Sequence, residues 1–190
     1  MKYTTIPKTE IKVSKICLGT MTFGNQNSEL EAHEQMDYAL DKGVNFFDTA
    51  EMYAVPPSVA TQGKTEEFIG SWFSKNKNRK DVVLASKIAG PNRGMDWIRE
   101  DLSYSKENLT DALEKSLKRL KTDYIDLYQL HWPERNVNIF GQRDYKHDAT
   151  EHWKDNFEEI LQVLQGFVTS GKIRHVGISN ETPYGAMKFL

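Results

Sequence analysis

Four polar side chains in this sequence have the types and the spacing needed to donate a proton to a bound substrate. Asp48 directly follows an apolar segment, and Tyr53 lies five residues later. Lys87 lies at the end of a second apolar segment, and His131 follows a third. In parallel α/β proteins the carboxyl ends of the strands meet at one edge, where ligands bind. We therefore expect these four side chains to form one proton-donating site.

Tyr53 is the expected proton donor, and Lys87 is the residue expected to make its phenol more acidic. A free phenol has a pKa of about 10. A lysine ammonium about 4 Å from the phenolate, at an effective dielectric of about 20, stabilises it by up to roughly 4 kcal/mol, or about three pK units before desolvation is subtracted. Asp48 would keep the ammonium charged, and a neutral His131 would donate a hydrogen bond to the substrate oxygen or relay the proton.

Each of the four residues also has an ordinary structural interpretation. An aspartate after a strand is often a helix N-cap, as Asp48 would then be, and Lys87 alone would be a solvated lysine at a strand end. His131 would be a buried histidine, and Tyr53 a packed loop aromatic. These alternatives stay open for each residue taken singly. Their joint occurrence at one end of one sheet favours a functional site.

The elements that must position these side chains alternate between apolar strand-like segments and amphipathic helices. A short hairpin around Pro7 precedes five predicted strands at residues 16–18, 44–47, 82–85, 124–130 and 173–178. The clearest helices span about 106–121, after Ser105 as N-cap, and about 155–170. Glycines at 43 and 171 are predicted to end helices. This alternation predicts an α/β fold with a parallel sheet and right-handed crossovers.

Composition and charge argue against several other classes of protein. A formal net charge of −2 over 190 residues, with no basic stripe, is not typical of nucleic-acid binding. The sequence has neither an apolar run approaching the ~20 residues of a membrane span nor a signal peptide, so we expect a cytoplasmic protein. The single cysteine, Cys17, cannot form an internal disulfide and is expected to pack in the core. The remaining histidines lack the spacing of metal ligands, so no metal site is expected.

Several motifs taken together resemble those of the aldo-keto reductase family, the NADPH-linked (β/α)8 barrels. They are CLGTMTFG (17–24), GVNFFDTAEMY (43–53), LASK (84–87), SLKRLKTDYIDLYQLHWP (116–133) and GKIRHVGISN (171–180). The resemblance runs from residue 11 to residue 190, and the segments AEMYAVPP and FGNQNSE are most similar to the Tas-like branch of bacterial reductases. It implies a TIM barrel of which residues 1–190 form a single domain, with the N-terminal hairpin and about the first five β-α units.

The resemblance also implies an activity and a set of site residues. The chemistry would be reduction of an aldehyde or ketone to an alcohol, with NADPH as hydride donor and Tyr53 protonating the oxygen. The catalytic tetrad would be Asp48, Tyr53, Lys87 and His131. The residues that would bind the cofactor are Gly19, Thr20, Met21, Asp48, Ser179 and Asn180. The residues that would bind the substrate are Tyr53, His131 and Trp132.

A complete barrel of this kind typically needs about 250 residues. The resemblance therefore implies that this chain lacks the C-terminal strands, and that it is part of a longer protein or associates with another chain that covers the open side. A non-catalytic regulatory or binding subunit and a catalytically incompetent truncated barrel are alternative interpretations. A Schiff base on Lys87 is a further one, which the neighbouring Asp48 and Tyr53 disfavour. The expected partner is a small carbonyl compound, not nucleic acid or a membrane.

Overall fold

A computed structural model describes residues 1–151 and 153–190, and the chain begins with the predicted hairpin. Its strands, β1 (Tyr3–Thr5) and β2 (Lys12–Ser14), pair antiparallel on either side of a turn that contains Pro7. His152, one of the histidines excluded as a metal ligand from its spacing, lies outside the described residues.

Five parallel strands form the main sheet, in the order in which they occur along the chain. They are β3 (Cys17–Gly19), β4 (Phe46–Asp48), β5 (Val83–Ile88), β6 (Ile125–Leu130) and β7 (Ile173–Ile178). Right-handed crossovers between successive neighbouring strands place all of their helices on the same face of the sheet. The other, inner face is the one that lines the interior of a barrel. The predicted parallel α/β sheet is confirmed, and its strand order is that of a partial barrel.

The main departure from the predicted strand bounds is at the end of β5. The sequence predicted that this strand ends at residue 85, whereas it continues to Ile88 because residues 85–88 pair with residues 127–130 of β6. Lys87 therefore lies within the strand. Its neighbour Ser86 donates a hydrogen bond to Glu66 on the helical side of the sheet, so Lys87 projects from the inner face.

Within the described part of the chain, five α-helices and one short 3₁₀ helix connect or follow these strands. The α-helices are α1 (Glu29–Asp41), α2 (Lys64–Asn76), α3 (Lys106–Leu120), α4 (Phe157–Thr169) and α5 (Pro183–Phe189), and the 3₁₀ helix is Arg79–Asp81. Ser105 caps α3 as predicted, because its hydroxyl accepts a hydrogen bond from the backbone N–H of Asn108 at 3.2 Å. The predicted bounds of α3 and α4 are confirmed to within two residues at each end.

The main core lies between the outer face of the sheet and the helices. The predicted stripe of α3 is fully represented in it, since Leu109, Leu113, Leu117 and Leu120 are all buried. In α4 only part of the predicted stripe is buried, namely Phe157, Ile160 and Leu164. The difference arises because α4 covers β7 at the edge of the sheet, where β6 is the only neighbouring strand.

Cys17 does not pack in this core, so that prediction is wrong. Leu18 contacts the core, and the alternation of a strand places Cys17 on the opposite, inner face, where it is exposed. Although the residue is exposed, the protein around its thiol raises the thiol pKa to about 12, chiefly by desolvation and then through the Asp48 carboxylate, while Lys87 lowers it. The thiol is therefore protonated at neutral pH.

Within residues 1–151 and 153–190, none of the helices is long and apolar enough to cross a membrane. The same residues hold no cluster of three or more His, Cys, Asp or Glu side chains that could ligate a metal ion. The cytoplasmic location and the lack of a metal stay predictions.

Candidate active site

An ion pair between Lys87 and Asp48 lies at the centre of the inner face, near the carboxyl ends of β4 and β5. The Lys87 ammonium donates to the Asp48 carboxylate at 2.6 Å and to the backbone carbonyl of Thr49 at 2.8 Å. Only 6% of Lys87 is exposed, so its charge is held mainly by these two oxygens. Asp48 is not a helix N-cap, and Lys87 is not a solvated lysine. An ammonium fixed in this way is a poor nucleophile, which disfavours Schiff-base chemistry.

Tyr53 lies beside this pair, in the loop that follows β4. The Lys87 nitrogen is 5.1 Å from the centroid of the Tyr53 ring, and 8% of the tyrosine is exposed. The tyrosine carbonyl accepts a hydrogen bond from the N–H of Gly63 at 2.8 Å, which fixes the loop against the start of α2. The structure therefore brings the predicted proton donor and its predicted activator together.

The pKa of Tyr53 shifts in the direction opposite to the one predicted. Burial, and secondarily the Asp48 carboxylate, raise it from 10.0 to about 12. The expectation of a lowered pKa was wrong because the loss of water around the phenol outweighs the nearby ammonium, whose charge Asp48 largely compensates. Tyr53 is consequently fully protonated at neutral pH.

His131 follows β6 and completes the group of four side chains. Its ring meets the Tyr53 ring edge to face, with 5.7 Å between their centroids, and only 4% of the residue is exposed. Burial, and secondarily the Lys87 charge, lower the pKa of His131 to about 3. The ring is therefore neutral at physiological pH, as the predicted role requires. Its buried Nδ1 atom has no hydrogen-bond partner among the described residues.

The predicted cofactor residues after β3 differ in what they present to the inner face. Gly19 leaves its backbone bare, because an added Cβ would meet no atom within 4 Å. Thr20 is fully buried, and its N–H and hydroxyl both donate to the carbonyl oxygen of Asp48 at 3.1 and 2.8 Å. Met21 is 49% exposed, and its carbonyl accepts from the N–H of Val55 at 2.7 Å. Thr20 thus fixes the backbone of Asp48, whereas Gly19 and Met21 border open space.

The predicted cofactor residues after β7 lie next to His131. The side-chain amide of Asn180 donates to the His131 carbonyl at 2.9 Å and to the Ser179 hydroxyl at 3.0 Å. The N–H of Ser179 donates to the carbonyl of Leu130 at 2.9 Å, which continues the sheet by one residue. These contacts attach the end of β7 to the edge of the sheet that carries His131.

Trp132 is almost completely buried. It forms an aromatic pair with His131, and Phe140 covers that pair. Trp132 is 1% exposed, and its indole N–H donates to the carbonyl of Pro91 at 2.9 Å. Phe140 is 59% exposed and meets the rings of Trp132 and His131 edge to face, at centroid distances of 5.6 and 6.3 Å. The aromatic surface open to a substrate is therefore that of Phe140, which sequence reasoning missed because a loop carries no periodic pattern.

Sequence reasoning also missed a buried ion pair between Glu51 and Arg99, which contacts the loops that carry the site. Its signal in the sequence is a charged residue between two apolar ones, Ala50 and Met52. That signal does not identify the partner, which lies 48 positions further along the chain.

A family model matches nearly the whole chain. The model described as "Aldo/keto reductase family" covers residues 15–189, so this chain belongs to the aldo/keto reductase family. The resemblance inferred from the motifs is confirmed. The five-stranded parallel sheet and its helices correspond to part of the TIM barrel of aldo-keto reductases.

Curated relatives and a solved structure agree with this assignment. Protein tas of Escherichia coli is 46% identical over 196 residues, covering 100% of this chain and 55% of the relative. The uncharacterized oxidoreductase YrpG of Bacillus subtilis is 38% identical, covering 95% of this chain and 49% of the relative. The aldo-keto reductase AKR11C1 from Bacillus halodurans, solved in its holo form, has a TM-score of 0.73 at 29% identity and covers 100% of this chain and 53% of its own. The chain thus spans about half the length of the curated relatives it matches.

The inner face has the features that a flat nicotinamide ring requires. The bare backbone at Gly19 permits close approach of a ring to the strand edge, where a Cβ would fill the space. Ser179 and Asn180 present a hydroxyl and an amide, groups that pair with a carboxamide. The residues present therefore fit the nicotinamide end of such a cofactor.

Proposed function

We propose that the protein reduces an aldehyde or ketone to the alcohol, with NADPH as the hydride donor and Tyr53 as the proton donor. The observation that carries the proposal is the meeting of Tyr53, Lys87 and His131 around one point of the inner face, next to the open backbone of Gly19. Membership of an oxidoreductase family supports the reaction class. NADPH, when bound, supplies a hydride to the carbonyl carbon.

Tyr53 supplies the proton that balances the hydride. Its raised pKa keeps the phenol protonated at neutral pH, so the proton is in place before reaction. As the carbonyl carbon gains a hydride, its oxygen becomes an alkoxide, which is a stronger base than a phenolate. Proton transfer from the phenol to that oxygen is therefore downhill even though the phenol is a weak acid. The C–O double bond becomes single, a new O–H bond forms, and Tyr53 is left as a phenolate.

Lys87 and His131 have separate tasks in this scheme. The Lys87 ammonium, held by Asp48, lies close enough to the phenol ring to stabilise the phenolate after transfer. His131 is neutral, so it donates one hydrogen bond to the oxygen and does not replace Tyr53 as the proton donor. We assign it the orientation of the substrate oxygen toward Tyr53.

The residues proposed to hold the cofactor are those around the open part of the inner face. Gly19 and Met21 would border the nicotinamide, and Ser179 and Asn180 would pair with its carboxamide. Thr20 would contribute indirectly, by fixing the backbone of Asp48. On the substrate side, we expect the exposed Phe140 to contact the substrate, with Trp132 supporting it from behind.

The test is to compare Tyr53→Phe with Tyr128→Phe. Tyr128 is also buried, but it belongs to the main core, and its hydroxyl has no hydrogen-bond partner among the described residues. We expect Tyr53→Phe to lower kcat for carbonyl reduction by about 10²-fold or more, the typical contribution of a general acid, with the Kd for NADPH unchanged. Tyr128→Phe should leave both values near those of the unmodified protein.

The outcomes separate catalysis from binding. Equal activity in Tyr53→Phe and the unmodified protein would refute Tyr53 as the acid. Tight NADPH binding with no turnover of any carbonyl compound would refute the reductase assignment and favour a regulatory or binding role. A preference for NADH over NADPH in the same titration would overturn the choice of cofactor.

A further inference from the structure

The buried pair of Glu51 and Arg99 connects the loop that carries Tyr53 to the loop that follows β5. The two nitrogens at the end of the Arg99 guanidinium donate to the two carboxylate oxygens of Glu51, the second at 3.3 Å. Glu51 is 1% exposed and Arg99 is 9% exposed. Glu51 lies two residues before Tyr53, so whatever fixes its position constrains the proton donor.

Glu51 is also hydrogen-bonded to Lys87 and to Ala89, at and just after the end of β5. Its backbone N–H donates to the carbonyl of Lys87 at 3.0 Å. Its carboxylate accepts from the N–H of Ala89 at 3.0 Å. Glu51 is thus hydrogen-bonded to the backbone at Lys87 and Ala89, and the loop that contains Glu51 also carries Tyr53. The relative placement of the proton donor and the ammonium depends on this residue.

The segment around Arg99 packs in the same buried cluster as Tyr53. Met95 and Leu102, which flank Arg99, belong to one buried apolar cluster with Met52 and Tyr53. If Arg99 lost its carboxylate partner, nothing polar among the described contacts of its guanidinium would hold this segment inward. Water would then reach the Tyr53 phenol from the side that the cluster now closes.

Stability alone is a weak explanation for this pair. Burying two charges costs desolvation free energy that their attraction often fails to exceed, and apolar replacements of buried pairs are frequently neutral or stabilising. Desolvation raises the pKa of Glu51, an effect that Arg99 and the N–H of Ala89 only partly offset. A costly pair at this location is better explained by the geometry that it imposes on its neighbours.

We propose that Glu51, held by Arg99, is a positioning residue that fixes Tyr53 against Lys87 and closes its phenol from water. The catalytic consequence rests on the proposed reductase function. The structural consequence, which is the shielding of the Tyr53 phenol from water, does not depend on that function.

The test compares Glu51→Gln with Glu66→Gln. Glu66 is a matched control because it is equally buried and pairs with an arginine, Arg119, at 2.8 Å, but it lies in α2. The Tyr53 phenol is followed by NMR of protein labelled at the tyrosine ζ carbons, with Tyr53→Phe used to assign its resonance. Both variants keep the residues Asp48, Lys87 and His131 themselves unchanged.

The measurement is made at pH 10.5 with circular dichroism to verify that each variant is folded. A phenol with a pKa of about 12 is about 3% ionised at this pH, whereas one exposed to water, with a pKa of about 10, is about 75% ionised. We expect Glu51→Gln to raise the ionised fraction above half, and Glu66→Gln to leave it at a few per cent. In the kinetic assay, Glu51→Gln should lower kcat by about 10²-fold with the Kd for NADPH unchanged.

The proposal is overturned if Glu51→Gln leaves the Tyr53 titration unchanged, or if both variants shift it equally. If Glu51→Gln does not fold, Arg99→Lys takes its place, since lysine keeps the charge but loses the two-point contact. That variant should show an intermediate ionised fraction, and a titration like that of the unmodified protein would overturn the proposal. Because the titration needs no turnover, a protein without reductase activity would still give a decisive result.

Discussion

Replacing His131 with glutamine should remove a large part of the acid sensitivity of the fold. The pKa of His131 is lowered from 6.5 to about 3, so below pH 6.5 the unfolded chain takes up a proton that the folded protein does not. Stability is therefore lost as the pH falls through this window, and is unaffected by this group above it. At pH 4 the separation of 2.5 pK units from the unfolded value corresponds to about 3 kcal/mol, at 1.36 kcal/mol per unit.

The assay is urea unfolding of the protein and of His131→Gln at pH 7, 6, 5 and 4, at constant ionic strength. Other titrating groups are common to the two proteins, so the difference between their free energies of unfolding isolates the histidine. We expect that difference to move by about 3 kcal/mol in favour of the glutamine variant between pH 7 and pH 4. The imidazole should stay neutral in the folded protein throughout, which its NMR shifts would report.

Two results would refute the reasoning. A difference between the two proteins that does not change with pH would mean that burial does not keep His131 neutral. A folded-state titration of the His131 ring near pH 6.5 would mean the same, and it would remove the basis for a neutral hydrogen-bond donor in the site.

The remaining predictions concern the scaffold. Gly70→Ala should lower the free energy of unfolding by about 3 kcal/mol, because the new Cβ would collide with the backbone carbonyl of Arg119 in the neighbouring helix. Gly166→Ala, in the last turn of α4 with open space around the new Cβ, should raise it by up to about 1 kcal/mol. Equal effects of the two changes would contradict the packing of α2 on α3. Arg79→Met should lower the free energy of unfolding in urea by about 3 kcal/mol, because among the described residues it leaves the buried Asp126 paired with Arg174 alone. An unchanged free energy of unfolding would mean that Arg79 does not hold β6.

The fold and the composition of the site were predictable because both depend on local patterns. Apolar segments followed by Asp48 and His131 identify strand ends, and parallel strands bring their ends together whatever the loops do. The stripe from Leu109 to Leu120 needs only the period of a helix. These features can be predicted without knowledge of the tertiary contacts.

The raised pKa of Tyr53, the exposure of Cys17 and the pairing of Glu51 with Arg99 were not predictable, because they depend on contacts between distant segments. The pKa of Tyr53 is raised chiefly by its burial, and Tyr53 belongs to one buried cluster with Met95 and Leu102, a packing that no local pattern in the sequence predicts. The exposure of Cys17 depends on which face of β3 the helices cover. The ion pair between Glu51 and Arg99 joins two loops, and each residue alone would be interpreted from the sequence as a surface charge.

Transfer of deuterium from NADPH that carries two deuterium atoms at the reactive ring carbon tests the central claim most directly. The product alcohol is analysed by mass spectrometry for the protein and for Tyr53→Phe, with one carbonyl compound at saturating concentration. The account predicts one deuterium on the former carbonyl carbon for each NADPH consumed, and about 10²-fold less product from Tyr53→Phe. Alcohol without deuterium, or labelled alcohol formed equally fast by Tyr53→Phe, would contradict it.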